Sequence, residues 1–231
     1  MKRVLRKIPF LVSAKKQVWK ALFGERNRRR AVQSFRISTI DRKVRKALCL
    51  QELVWRAPAS GVIVECGVAF GWSLGLLGML SQKKIYGFDS YEGFPAGSSK
   101  DAPSFDPELK WKYKLMTEKI VEENLVHIGI SPTDVGTRVV LKKGFFPASF
   151  EGFNERVSLV HLDVDLYQSY KDALNFFFPL LEQEGFLAFD EYDLENDVEK
   201  WPGAKIAIDE FASENNLKIE HHWTGFAYIK K

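Results

Sequence analysis

From Gly61 to Tyr228 the chain alternates short runs rich in β-branched residues with longer stretches of helical period. GVIVEC (61–66), KIYGFD (84–89), TRVVL (137–141), VSLVHLD (157–163) and GFLAFD (185–190) each suit one buried strand. Helices are expected at 72–81, 109–128, 169–181 and 204–215, and 217–228 supplies a last strand or hairpin. A parallel neighbour needs a crossover connection, usually a helix, so this rhythm predicts an α/β doubly wound fold with a mostly parallel central sheet.

The 231 residues, 45% apolar and 28% charged, exclude a wholly disordered chain. Cys49 and Cys66 are too few for a disulfide framework and suit a reducing, cytoplasmic setting. No apolar run approaches the ~20 residues of a membrane span. The net charge of +4 conceals an asymmetry. Up to Lys46 there are 16 Lys/Arg and 2 Asp/Glu; beyond it there are 18 and 28. The sequence therefore divides into a basic arm (1–48) and an acidic body (49–231). Val18, Trp19, Leu22 and Phe23 fall at helical spacing among lysines, which predicts an amphipathic basic helix ending at Gly24. A signal peptide is not expected, because the arm has no sustained apolar region and no small-residue cleavage site. A second helix is expected over Ile40–Ala57, stopped by Pro58. The arm's aromatic face favours an anionic membrane surface or a partner helix in a homo-oligomer. Nucleic acid is disfavoured, because the acidic body would repel phosphates. The expected location is cytoplasmic, peripheral at the inner membrane face.

In open α/β sheets, ligands bind beyond the carboxyl ends of the strands. Three expected strands end in acids, Glu65, Asp89 and Asp163. The first is followed by Gly67-Val68-Ala69-Phe70-Gly71-Trp72-Ser73, where two glycines let the backbone approach a ligand. The G-x-x-x-G spacing is not that of dinucleotide binders. A carboxylate beside the turn repels a pyrophosphate but suits a sulfonium or ammonium group, and Asp89 stands where a ribose diol would be held. These features favour S-adenosylmethionine over NAD. The alternative is a tight strand–helix turn with capping acids.

Asp163, Asp165, Asp190 and Glu191 lie at the ends of strands expected to be neighbours. Converging carboxylates repel one another unless a cation joins them, and hard oxygen ligands in an open site suit Mg²⁺. A bound hydroxyl would be acidified there, with Asp165 taking the proton. Alternatively, Asp165 and Glu191 point to solvent or cap helices.

VECGVAFGWS, YGFDSYEGFP, KGFFPASF, HLDVDLYQSYKDAL, EGFLAFDEYDL and WPGAKIAIDEF occur in order and cover nearly everything from Gly61 to Phe211. In them the chain resembles the macrocin O-methyltransferase (TylF-like) family of Mg²⁺-dependent sugar O-methyltransferases, with a Rossmann-like methyltransferase fold. The resemblance does not cover the basic arm. It implies that Glu65, Gly67, Gly71 and Ser73, with Val68 and Trp72 between them, form the S-adenosylmethionine turn. It implies a ribose site at Asp89 and Ser90, and a loop at Gly144 closing on the adenine side. Asp163 is implied as a metal ligand at the cofactor's edge, Asp165 as general base, and Asp190 with Glu191 as the rest of the metal site. Glu191 replaces the commoner Asp, and Val164 replaces a frequent Gly, which narrows the acceptor pocket. The implied acceptor is a sugar hydroxyl of a glycan or glycosylated natural product. A small phenol or catechol acceptor, or a non-catalytic protein on the same scaffold, are the alternatives.

His161 shares a strand face with Asp163 and is expected to be a buried histidine satisfied by a neighbour. Tyr91, Phe94 and Trp111 flank the long loop 92–107 and suit either a sugar face or the packing of that loop. Cys66 reads as a small buried residue, and neither His221 nor His222 is expected to be catalytic.

Overall fold

The computed structural model describes residues 40–105 and 116–231. Two units are distinguished, Met1–Arg42 and Lys43–Lys231, and the sheet belongs to the second. The expected amphipathic helix around Trp19 lies outside the described residues, as does Trp111.

In chain order the elements are α1 (Arg42–Arg56), β1 (Val62–Cys66), α2 (Trp72–Leu80), β2 (Ile85–Asp89), α3 (Glu118–His127) and β3 (Val139–Lys143). They continue with β4 (Val157–Leu162), α4 (Tyr167–Leu180), β5 (Leu181–Phe189), α5 (Asp197–Lys200), α6 (Pro202–Glu214), β6 (Ile219–His221) and β7 (Ala227–Lys230). The seven strands form one sheet in the order β3-β2-β1-β4-β5-β7-β6. The first five are parallel, and β7 joins β5 antiparallel, with β6 completing a hairpin. This is the expected doubly wound, mostly parallel sheet.

Both sheet faces are covered, so alternate strand residues are apolar on both sides. Val64, Cys66, Val160, Leu162, Leu187 and Phe189 pack with α4 and α6. Ile63, Leu159, Phe186 and Ala188 share the opposite core with Cys49, Leu50 and Leu53 of α1. Residue 48 lies inside α1, which runs unbroken into the body. The expected helix over 109–128 is described from its N-terminal end at Thr117, whose hydroxyl accepts from the Ile120 amide.

Polar groups also hold α1 on the sheet. Arg45, 2% exposed, hydrogen bonds to the Thr224 carbonyl and pairs with Glu195. Glu52 lies 3.1 Å from His222, whose other ring nitrogen is 2.7 Å from the Thr224 hydroxyl. The His222 hydrogen bond, against the opposing effect of burial, lowers the Glu52 carboxyl to about 2. A lowered carboxyl stabilises the fold above its unfolded pKa, and that contribution is lost as pH falls through the folded value. The stability gap between wild type and Glu52→Gln should therefore be full above about pH 5 and shrink towards about pH 2. Urea midpoints across that range check this; a gap independent of pH would contradict it.

Candidate active site

The strand order reverses between β1 and β4, and a cleft of about 210 Å³ opens beyond their carboxyl ends. Gly67, Ala69, Asp89, Ser90, Gly144, Asp163, Val164 and Asp165 all line it. The turn after β1 is tight because the two strand ends almost touch. A Cβ on Gly67 would lie 1.8 Å from the Asp163 carbonyl oxygen, and its φ is +84°. Ala69, Tyr91 and Asp165 also have positive φ (49°, 52° and 61°), so left-handed backbone concentrates around this cleft.

Asp89 organises the turn. One carboxylate oxygen accepts from the Val68 and Ala69 amides at 2.8 and 2.9 Å, and the other from the Tyr91 amide at 2.9 Å. The capping role weighed for this acid is present, and the carboxylate is still part of the cleft wall. The Ser90 hydroxyl donates to the Gly93 carbonyl at 2.6 Å, which fixes the start of the long loop. Val68 is buried in the core, and Gly71 begins α2 with φ +83°. Trp72 is partly exposed at the head of α2, and Ser73 is buried beside Glu65.

The structure does not bring Glu65 to the cleft. It is fully buried, with Oε1 2.8 Å from His161 Nδ1. The cause is register: Glu65 pairs with His161 across β1 and β4, so both point to the α1 side of the sheet. Burial raises the Glu65 carboxyl, against the His161 hydrogen bond. His161 is thus satisfied by a neighbour, as expected, and it also stands with Asp163 and Asp190. One ligand atom from each of these three lies within 4.8 Å of the others.

Lys46 enters this group from α1. Its ammonium is 2.8 Å from Asp163 Oδ2 and 2.7 Å from Asp190 Oδ1. Burial opposes the charge on Lys46, but the two carboxylates overcome it and hold the amine above its ordinary range. Burial likewise opposes the charge on Asp190, and Lys46 outweighs it, so that carboxyl sits below its usual value. Glu191 adjoins Asp190 and meets α4 as well. Its Oε2 is 2.7 Å from the Tyr170 hydroxyl, and both side chains are buried. Burial and then the neighbouring Asp190, Asp163 and Asp165 raise Glu191 well above the carboxylate range. Lys46 was counted with the basic arm; its signal was its place on the apolar stripe of α1, with Cys49, Leu50 and Leu53 at helical spacing.

The loop 92–105 forms the far wall of the cleft. Phe94, Pro95 and Ala96 line it together with Phe145 and Phe146. Phe94 stacks on Trp201 at 6.4 Å and meets Phe105 edge-on at 5.5 Å, whereas Tyr91 is buried in the core. Asp101 clamps the loop. Its Oδ1 accepts from the Tyr167 amide at 2.8 Å, capping α4 from outside that helix. Its Oδ2 accepts from the Ser98 amide and hydroxyl at 2.7 and 2.8 Å. Gly203 leaves the room, since a Cβ there would lie 2.0 Å from Asp101 Oδ1. Asp101→Ala should cost about 1 kcal/mol as a lost cap and free the loop. KM for the acceptor should then rise more than kcat falls; an unchanged KM would show that the clamp does not hold the wall.

The sequence pattern of the macrocin O-methyltransferase (TylF) family matches residues 13–226. The chain belongs to this family. It is an S-adenosylmethionine-dependent O-methyltransferase, and the glycine turn, the Asp89–Ser90 bend and the open cleft fit that cofactor. No curated protein matches the chain. Among solved structures, the O-methyltransferase NovP is similar at a TM-score of 0.66 and 18% identity, over 81% of this chain and 80% of its own. The calicheamicin methyltransferase CalS11 is similar at 0.62 and 23%, over 80% of this chain and 78% of its own. A Streptococcus mutans putative methyltransferase in complex with S-adenosylhomocysteine (SAH) follows at 0.51 and 14%, over 80% and 96%. These likenesses establish the shared fold. No helix among the described residues is long and apolar enough to cross a membrane.

Proposed function

We propose that the protein transfers the methyl group of S-adenosylmethionine to a sugar hydroxyl of a glycan or a glycosylated small molecule. One observation carries this reading: Asp163 and Asp165 share a single cleft with the glycine turn and with the aromatic faces of Phe94 and Phe145. Aromatic faces suit the apolar side of a sugar ring, and CalS11 is described as a TDP-rhamnose 3'-O-methyltransferase. In this reading the turn at Gly67 and the bend at Asp89 hold the cofactor. The clamped loop holds the acceptor and excludes water. Asp165, lining the same space, takes the hydroxyl proton as the methyl group moves.

Asp163 and Asp190, with a His161 nitrogen in reach, would hold a divalent cation such as Mg²⁺. What a cation supplies when bound there is a lower pKa for the acceptor hydroxyl. The donor set fits such an ion once Lys46 has left the two carboxylates. Glu191, which accepts from the Tyr170 hydroxyl, stands beside Asp190 outside this three-residue group.

The test is methyl transfer from labelled S-adenosylmethionine to a panel of nucleotide sugars, glycosides and catechols, with and without Mg²⁺. Methylated sugars are the expected product. Turnover confined to catechols would replace the sugar reading with the phenolic one, and SAH binding without any turnover would favour a non-catalytic scaffold.

A further inference from the structure

We propose that Lys46 and a divalent cation are mutually exclusive occupants of the Asp163–Asp190 pair, so that α1 sets the metal affinity of the site. This inference rests on the cation site of the proposed function. The Lys46 ammonium bridges one oxygen from each carboxylate, at 2.8 and 2.7 Å, and its side chain is only 12% exposed. A lysine has three donors and no acceptor, so it uses the lone pairs that a metal would need. A divalent ion and an ammonium sharing these oxygens would also repel each other at close range.

The position of Lys46 is built in. Cys49, Leu50 and Leu53 bury the next two turns of α1 in the core, and Arg45 is fixed to Thr224 and Glu195. The helix backbone is therefore fixed where it presents Lys46 to the strand ends as a counter-ion. The side chain itself is long and can turn. The Trp72 ring, partly exposed, has its centroid 6.0 Å from Nζ and offers the displaced ammonium an aromatic face. Loading the site with metal thus exchanges one tethered positive charge for two mobile ones. Glu65 behind His161 has the carboxylate–imidazole arrangement that orients metal-binding histidines, so removal of Lys46 leaves a prepared ligand set.

Mn²⁺ binding to the full chain, read by electron paramagnetic resonance, tests this in wild type, Lys46→Gln and the double variant Lys46→Gln/Asp163→Asn. Lys46→Gln should bind Mn²⁺ at least about tenfold more tightly than wild type, and Asp163→Asn should remove the gain. Because Lys46→Gln leaves two carboxylates facing each other with no counter-ion in the absence of metal, a second measurement uses wild type alone. Saturating Mn²⁺ should raise amine labelling of Lys46, read by peptide mass, as the ammonium leaves the pair. Equal Mn²⁺ affinity in wild type and Lys46→Gln, or Lys46 labelling unchanged by bound Mn²⁺, would overturn the exclusion. If neither protein binds Mn²⁺ while SAH still binds, the cation site and this inference fall together and the methyltransferase assignment stands. If SAH binding is also absent, the cleft reading itself fails.

Discussion

Gly67→Ala is expected to abolish SAH binding and to destabilise the domain by roughly 3 kcal/mol. Two independent costs converge on one methyl group. The residue has φ +84°, a region that side chains other than glycine enter at a penalty. The new Cβ would also lie 1.8 Å from the Asp163 carbonyl oxygen and 2.7 Å from its carbonyl carbon. That neighbour is backbone at the end of β4 and cannot rotate away. Relief requires β1 and β4 to separate where the cleft opens, which also disturbs the Asp163 amide bond to the Cys66 carbonyl at 2.9 Å. Urea denaturation and calorimetric titration with SAH measure the two effects. A variant with wild-type midpoint and affinity would show that the strand ends are not as close as they stand here. Gly136, with φ +80° and nothing within 4 Å of its added Cβ, is the control: alanine there should cost only the backbone term and leave SAH binding intact.

Asp165→Asn is expected to lower kcat by about 10²–10⁴-fold while SAH affinity stays within about twofold. Asp165 lines the cleft at the end of β4, beyond the Lys46–Asp163–Asp190 pairing, and its φ of +61° aims the residue by a left-handed turn. Aspartate and asparagine both tolerate that conformation, so the substitution removes the base without imposing strain. Asp163→Asn should behave differently, because it removes a partner of Lys46 and alters the support of the site. If Asp165→Asn retains kcat within about threefold, Asp165 is not the proton acceptor and the cleft's remaining carboxylates, Asp89, Asp163 and Asp172, become the candidates.

The glycine turn was legible because its requirement is local: a strand end, a left-handed residue and a helix start follow one another in sequence. Asp163 and Asp190 were legible because parallel neighbours bring like ends together. The direction of Glu65 was not. It depends on which face of β1 meets α1, and β1 is apolar on both faces. Glu191 was expected with Asp190 in the metal site; its hydrogen bond from the Tyr170 hydroxyl of α4 was not legible, because it joins residues 21 positions apart. Asp101 was hidden for a similar reason, since it caps α4 across a gap of 66 residues.

The sequence by itself determined the α/β alternation, the cofactor-type turn and the acids at the strand ends. Each is a local pattern whose period or spacing is read directly. Only the tertiary structure decided what neutralises those acids. Lys46 is 117 residues from Asp163, and it reaches the pair because one stripe of α1 is buried against the sheet. Local propensity places a lysine on a helix. Packing of that helix decides whether its charge ends in water or between two carboxylates.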